Sequence, residues 1–193
     1  SGAGKSTVLK LIMLMERASS GNVQVAGRSL SQMGVKDIPL HRQQMGVVFQ
    51  NHQLLFDRSV FDNIALPLRI CGYDATDAAR RVRAALDKVG LLNREKFNPK
   101  MLSTGEQQRI GIARAIVHKP KILLADEPTG NLDTQMAKSV MSLLEEINQQ
   151  GTTIIMVTHD DALANRATRK IQIKDGRVSE LDVVCNTHSQ AIA

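Results

Sequence analysis

The chain opens Ser1-Gly2-Ala3-Gly4-Lys5-Ser6-Thr7, the closing half of a phosphate-binding loop. No other stretch limits the fold as much, because the pattern G-x-x-x-x-G-K-[ST] works as the turn between a buried strand and a helix. Gly2 and Gly4 let the backbone curl so that successive N–H groups face a phosphate. Lys5 is placed to reach β- and γ-phosphates, Ser6 offers a hydroxyl to Mg²⁺, and the helix that follows points its positive end at the anion. The first glycine of the pattern falls two positions before Ser1. The chain is therefore expected to be a fragment lacking N-terminal strands. From these residues alone, a simple glycine turn before a helix is the alternative.

The rest of the chain alternates strand and helix patterns. Apolar residues from Thr7 to Met15 predict a helix after the loop, Ser19 to Asn22 a turn, and Val23-Gln24-Val25 a strand. Met45 to Phe49 and Lys121 to Ala125 read as buried strands. So does Thr152 to Thr158, which is β-branched and apolar. Helices are expected over Asp74 to Val89, where Ala78, Val82, Ala85, Leu86 and Val89 share a face, over Ser103 to His118, and over Thr134 to Gln149. Asp175-Gly176 signals a hairpin within Ile171 to Val178. This rhythm predicts an α/β domain over residues 1–181 with a mainly parallel sheet. A helical subdomain is expected at about 51–118, and 182–193 reads as a flexible tail.

Composition narrows the possible partners. The 193 residues include no run of 18 apolar positions, so nothing is expected to span a membrane. The net charge is +6, but the basic residues form no block longer than Arg80-Arg81. Aromatic residues are only 3%, too few for a base-stacking surface, and no nucleic-acid partner is expected. Cys71 and Cys185 lack metal-ligand spacing, which favours a reducing compartment.

Two further motifs carry chemistry. Lys121 to Ala125 is an apolar strand ending in Asp126 and Glu127, and the carboxyl ends of parallel strands line the ligand crevice. Asp126 is suited to hold Mg²⁺ through water. Glu127 is suited to accept a proton from, or to orient, a water attacking the γ-phosphate. The second motif is Leu102-Ser103-Thr104-Gly105-Glu106-Gln107. Ser103 with Glu106 forms a capping box, a sufficient structural explanation, while Thr104-Gly105 at a helix start also suits an anion.

This second motif resembles the signature of ATP-binding cassette (ABC) ATPases, a family of P-loop NTPases. Other pieces follow in the family's order. Gln50 resembles the Q-loop glutamine, Gly130-Asn131-Leu132-Asp133 the D-loop, and His159 the switch histidine. The resemblance runs from Ser1 to about Leu181. It implies a homodimer of nucleotide-binding domains sandwiching two ATP molecules with Mg²⁺. Ser1, Gly2, Ala3, Gly4, Lys5, Ser6 and Thr7 of one subunit would hold phosphates that Ser103, Gly105 and Glu106 of the other close. Ser6, Gln50 and Asp126 would serve the metal. Gln50 would also sense the membrane partner, and Glu127 and His159 would act on the γ-phosphate.

Within the family, the stretches Arg42 to Gln50, Ala84 to Leu92, Glu106 to Ala115 and Ala125 to Asp133 resemble the branch serving cell division, lipoprotein release and macrolide export, and most of all its division members. That likeness implies an FtsX-like integral membrane partner at the cytoplasmic face of the bacterial inner membrane, at the division site. ATP cycling would control cell-wall hydrolysis. Lipoprotein release, export, or a nucleotide-gated module with little hydrolysis are the alternatives. Leu54-Leu55-Phe56 and Val60 to Ile64 could dock the partner, pack the helical region, or do both. Thr104 stands where the family usually has glycine, and its restricted φ and bulk are expected to weaken dimer closure.

Overall fold

The structure is a computed structural model describing residues 4–174 and 176–181. Its centre is a parallel sheet of β3 (Met45–Val48), β4 (Ile122–Asp126) and β5 (Thr153–Val157), in the order β3-β4-β5. The register pairs Val48 with Ala125 and Ala125 with Met156, so all three strands end at one edge. Two small antiparallel pairs form separately: β1 (Gln24–Val25) with β2 (Arg28–Ser29), and β6 (Lys170–Lys174) with β7 (Arg177–Leu181). The last pair is the expected hairpin. Lys174 pairs with Arg177, and Gly176 adopts the left-handed φ of 72° that such a turn requires. Asp175 and the expected tail at 182–193 lie outside the described residues.

Helix α1 (Lys5–Ile12) anchors the loop to the sheet through Leu9 and Met13, which pack with Met45 and Leu124. After the short α2 (Ile38–Arg42) and β3 come α3 (Val60–Ile70), α4 (Ala75–Lys88) and α5 (Thr104–Ile116), which pack on one another. The expected face of α4 is buried as read, with Val82 and Leu86 fully enclosed. One apolar core runs from these helices into the sheet, joining Leu68, Val82 and Ile110 to Val48 and Leu123. Gly46 makes that junction possible: a Cβ there would collide with the Ala115 carbonyl oxygen of α5. Helix α6 (Thr134–Gln149) covers the sheet, and α7 (Asp161–Ala164) follows β5.

Helix α3 escaped the sequence reading, although Ser59 caps it by accepting from the Asp62 N–H. Pro67 lies inside it and obscures the helical pattern. Strand β5 forms as expected but is half-buried, because among the described residues only β4 pairs with it.

Candidate functional site

The site is built at the carboxyl edge of the sheet. Helix α1 begins at Gly4, whose φ of 86° is the left-handed conformation glycine tolerates best, and no side chain caps its first N–H groups. Ser6, exposed in the first turn, donates its hydroxyl to Asp126 Oδ1 at 3.3 Å. That contact joins residues 120 positions apart and sets the end of the loop beside the end of β4. Lys5 is half-buried and Thr7 exposed in the same turn. Ser1, Gly2 and Ala3 lie outside the described residues.

Glu127 leaves β4 with a φ of 47°. Its N–H donates to the Val157 carbonyl of β5 at 2.9 Å, and its carboxylate lies 3.0 Å from His159 Nδ1. The carboxylate also accepts from the His159 N–H at 3.4 Å. The glutamate side chain is 16% exposed and the histidine 72%, so the pair faces outward from a largely buried carboxylate. Gln50, exposed after β3, completes the edge. A Cβ on Gly130 would come within 2.9 Å of its side-chain nitrogen, and Asn131 donates to its carbonyl at 3.3 Å. Ser6, Gln50, Asp126, Glu127 and His159 therefore converge, while Asn131 ties the turn after β4 to the turn after β3.

Ser103, Gly105 and Glu106 stand apart. Ser103 Oγ accepts from the Glu106 N–H, and the Glu106 carboxylate accepts from the Ser103 N–H at 2.9 Å. This reciprocal pair is the expected capping box. The Ser103 backbone N–H, assisted by Ser103 Oγ and Arg94, holds the Glu106 carboxyl below the usual range. Gly105 lies against Met136 in the first turn of α6, where a Cβ would strike the methionine's terminal methyl. Among the described residues, none of the three hydrogen-bonds to Lys5, Ser6, Asp126 or Glu127. Thr104 is the first helical residue of α5 and is not among the left-handed positions. Its β-branch therefore meets no backbone conflict within this chain.

Of the candidate docking residues, Leu54, Val60 and Ile64 are buried in the core, whereas Phe56 stays exposed. The sequence reading missed His52, Gln108 and Arg114, which join the segment after Gln50 to α5. The available signal was a polar Gln108 on the helix face of Ile112 and Ala115.

The phosphate-loop helix, the parallel sheet and the acidic strand end define a nucleotide-binding cassette. A profile described as ABC transporter matches residues 1–130. The chain belongs to the ABC transporter family and is one of its ATPase subunits. It is 50% identical over 179 residues to the cell division ATP-binding protein FtsE of Escherichia coli K12, covering 92% of this chain and 81% of that protein. The FtsE of Streptococcus pneumoniae D39 is 48% identical over 92% of this chain and 78% of its own length. Among solved structures, the dimeric bacterial ABC transporter cassette MJ0796 superposes with a TM-score of 0.82 at 33% identity, over 94% of this chain and 82% of that one. The same cassette in a post-hydrolysis dimer bound to ADP and Pi gives the same score.

Proposed function

We propose that this chain is the ATP-binding and ATP-hydrolysing subunit of a membrane complex in bacterial cell division. It works as a homodimer, coupled to an FtsX-like integral membrane protein at the cytoplasmic face of the inner membrane, at the division site. The likeness to FtsE supports the division role. The observation that carries the chemistry is the Ser6–Asp126 contact, which sets the end of the phosphate loop beside the acidic end of β4. Among the described residues no helix is long and apolar enough to cross a membrane, so the membrane enters this reading through the partner.

The geometry of the described residues supports the following roles, and the family resemblance supplies the rest. The uncapped N–H groups of α1, with Lys5 and Thr7, bind phosphate oxygens, a role that the family resemblance extends to Ser1, Gly2, Ala3 and Gly4. A serine hydroxyl beside a carboxylate is the hard-oxygen set that suits Mg²⁺, so Ser6 and Asp126, with Gln50, would hold it. When bound, the ion neutralises charge developing on the phosphates. Glu127 accepts a proton from the attacking water or orients it, and His159 holds that carboxylate in place. Ser103, Gly105 and Glu106, which among the described residues share no hydrogen bond with this edge, serve the partner subunit's nucleotide.

The test is to make Glu127→Gln in the full-length protein, express it in its host cell and purify it in ATP. Slowed hydrolysis should retain an FtsX-like membrane protein. Recovery of a lipoprotein-release or exporter subunit would move the chain to transport with the chemistry intact. Recovery of no ATP-dependent membrane partner would overturn the coupling.

A further inference from the structure

One buried amide holds both loops that carry the proposed hydrolytic residues. Gln108, in the second turn of α5, is only 1% exposed. Its Nε2 donates to the Pro128 carbonyl at 2.7 Å, immediately after Glu127. Its Oε1 is hydrogen-bonded to His52 Nδ1, two residues after Gln50. Chemistry fixes the orientation: a carbonyl oxygen only accepts, so the amide nitrogen must face Pro128 and the amide oxygen must face His52. His52 therefore carries its proton on Nδ1.

The same face of α5 continues the grip. Gly111 and Arg114 follow Gln108 at successive three-residue steps. The His52 carbonyl passes over Gly111, 3.9 Å from where a Cβ would lie. Arg114 donates to the carbonyls of His52 and Gln53 at 2.7 and 2.8 Å. What is gripped is unusual backbone. His52 and Gln53 have φ of 54° and 47°, and Glu127 on the other loop has 47°. Non-glycine residues keep such angles only where the surroundings over-determine them.

We propose that Gln108 is a positioning residue for ATP hydrolysis: the two ends of its side-chain amide set the spacing between the Gln50 loop and the Glu127 turn. The proposal rests on the reading of Glu127 given above. Buried beneath both loops, Gln108 acts through Glu127 and Gln50 rather than on nucleotide. It shares no hydrogen bond with Lys5, Ser6 or α1, so its loss should spare ATP binding and slow the chemical step.

The experiment compares full-length wild type with Gln108→Met, which keeps the volume and removes both bonds. Steady-state ATPase, affinity for a non-hydrolysable ATP analogue and thermal midpoint are measured together. The expected result is a kcat lower by roughly 10- to 100-fold, as small misplacements of catalytic groups produce, with analogue affinity unchanged. His52→Ala, which cuts only the Gln50-loop half of the tie, should lower kcat in the same direction. Combined with Gln108→Met it should add little, because both act through one connection. If Gln108→Met fails to fold, His52→Ala carries the same readouts. Unchanged kcat, or kcat falling in step with affinity and thermal midpoint, overturns the proposal. Glu127→Gln runs in parallel: if it still hydrolyses ATP, the underlying reading of Glu127 has failed. If it is inactive while Gln108→Met keeps full activity, only the positioning role has failed.

Discussion

Helices α1 and α5 both offer their N-termini to the proposed phosphate chemistry, and the chain finishes them in opposite ways. Helix α1 starts from a left-handed glycine with no side-chain cap and no acidic residue in its first turn. Helix α5 starts with a complete capping box and places Glu106 in its first turn. The positive pole of α1 is left for an anion, whereas that of α5 is offset by a carboxylate held ionised by the Ser103 N–H. Two ends of similar sequence, each with small residues before a helix, thus differ in what they are ready to do. In the proposed reading, one is a binding site within a single chain. The other is first a stop that the fold requires, and in the same reading it would meet nucleotide only as part of a second subunit.

The difference can be broken most sharply at Lys5. Lys5→Ala should weaken ATP binding by a single chain roughly 10- to 100-fold, the worth of a hydrogen bond to a charged group. Calorimetry with the full-length protein checks this, and unchanged affinity would erase the distinction. Ser103→Ala should leave single-chain binding intact but lower folding stability by about 1 kcal/mol in denaturant titration, as loss of an N-cap does. An equal stability loss in Ser6→Ala would show that the two ends are not differently built. Glu106→Gln keeps an acceptor for the cap and removes a charge that the proposed dimer would set beside the partner's phosphates. ATP-driven dimerisation, followed by sedimentation, should tighten by about 0.3–1 kcal/mol, and the gain should shrink in high salt.

The smallest effect concerns pH. Because folding lowers the Glu106 pKa, its charge stabilises the fold above the ordinary value of 4.5 and that contribution disappears as pH falls through the lowered value. The stability advantage of wild type over Glu106→Gln should therefore be full near neutrality and vanish in acid below that range. Denaturant titrations over an acid series check it, and a difference that grows on acidification would contradict the assignment.

What could be read from sequence was what local chemistry dictates. The capping box at Ser103 and Glu106, the apolar face of α4 and the acidic end of β4 are each set by residues close together in sequence, so their patterns were visible. Helix α3 was obscured because Pro67 and a buried Asn63 interrupt its apolar run. Asn63 proves to be satisfied by Leu55 and Ser59 backbone groups, which only the folded chain supplies. The order of motifs implied that Ser6 and Asp126 share a site, and the structure brings them into contact. The tie between His52 and Gln108 spans 56 positions and leaves no local signature beyond one polar residue on an apolar face.

The parallel register has a consequence for how the chain is made. Synthesis runs from the N-terminus, so Lys5, Ser6, Gln50, Asp126 and Glu127 all leave the ribosome before β5. Until Thr153 to Val157 pairs with β4, Glu127 lacks both the Val157 carbonyl that fixes its backbone and the His159 ring that holds its carboxylate. One flank of β4 is also left as a bare edge, ready to pair with another chain. A message cut short before residue 153 would therefore yield a product with a sticky edge on β4 and an unfixed Glu127, rather than a half-working enzyme.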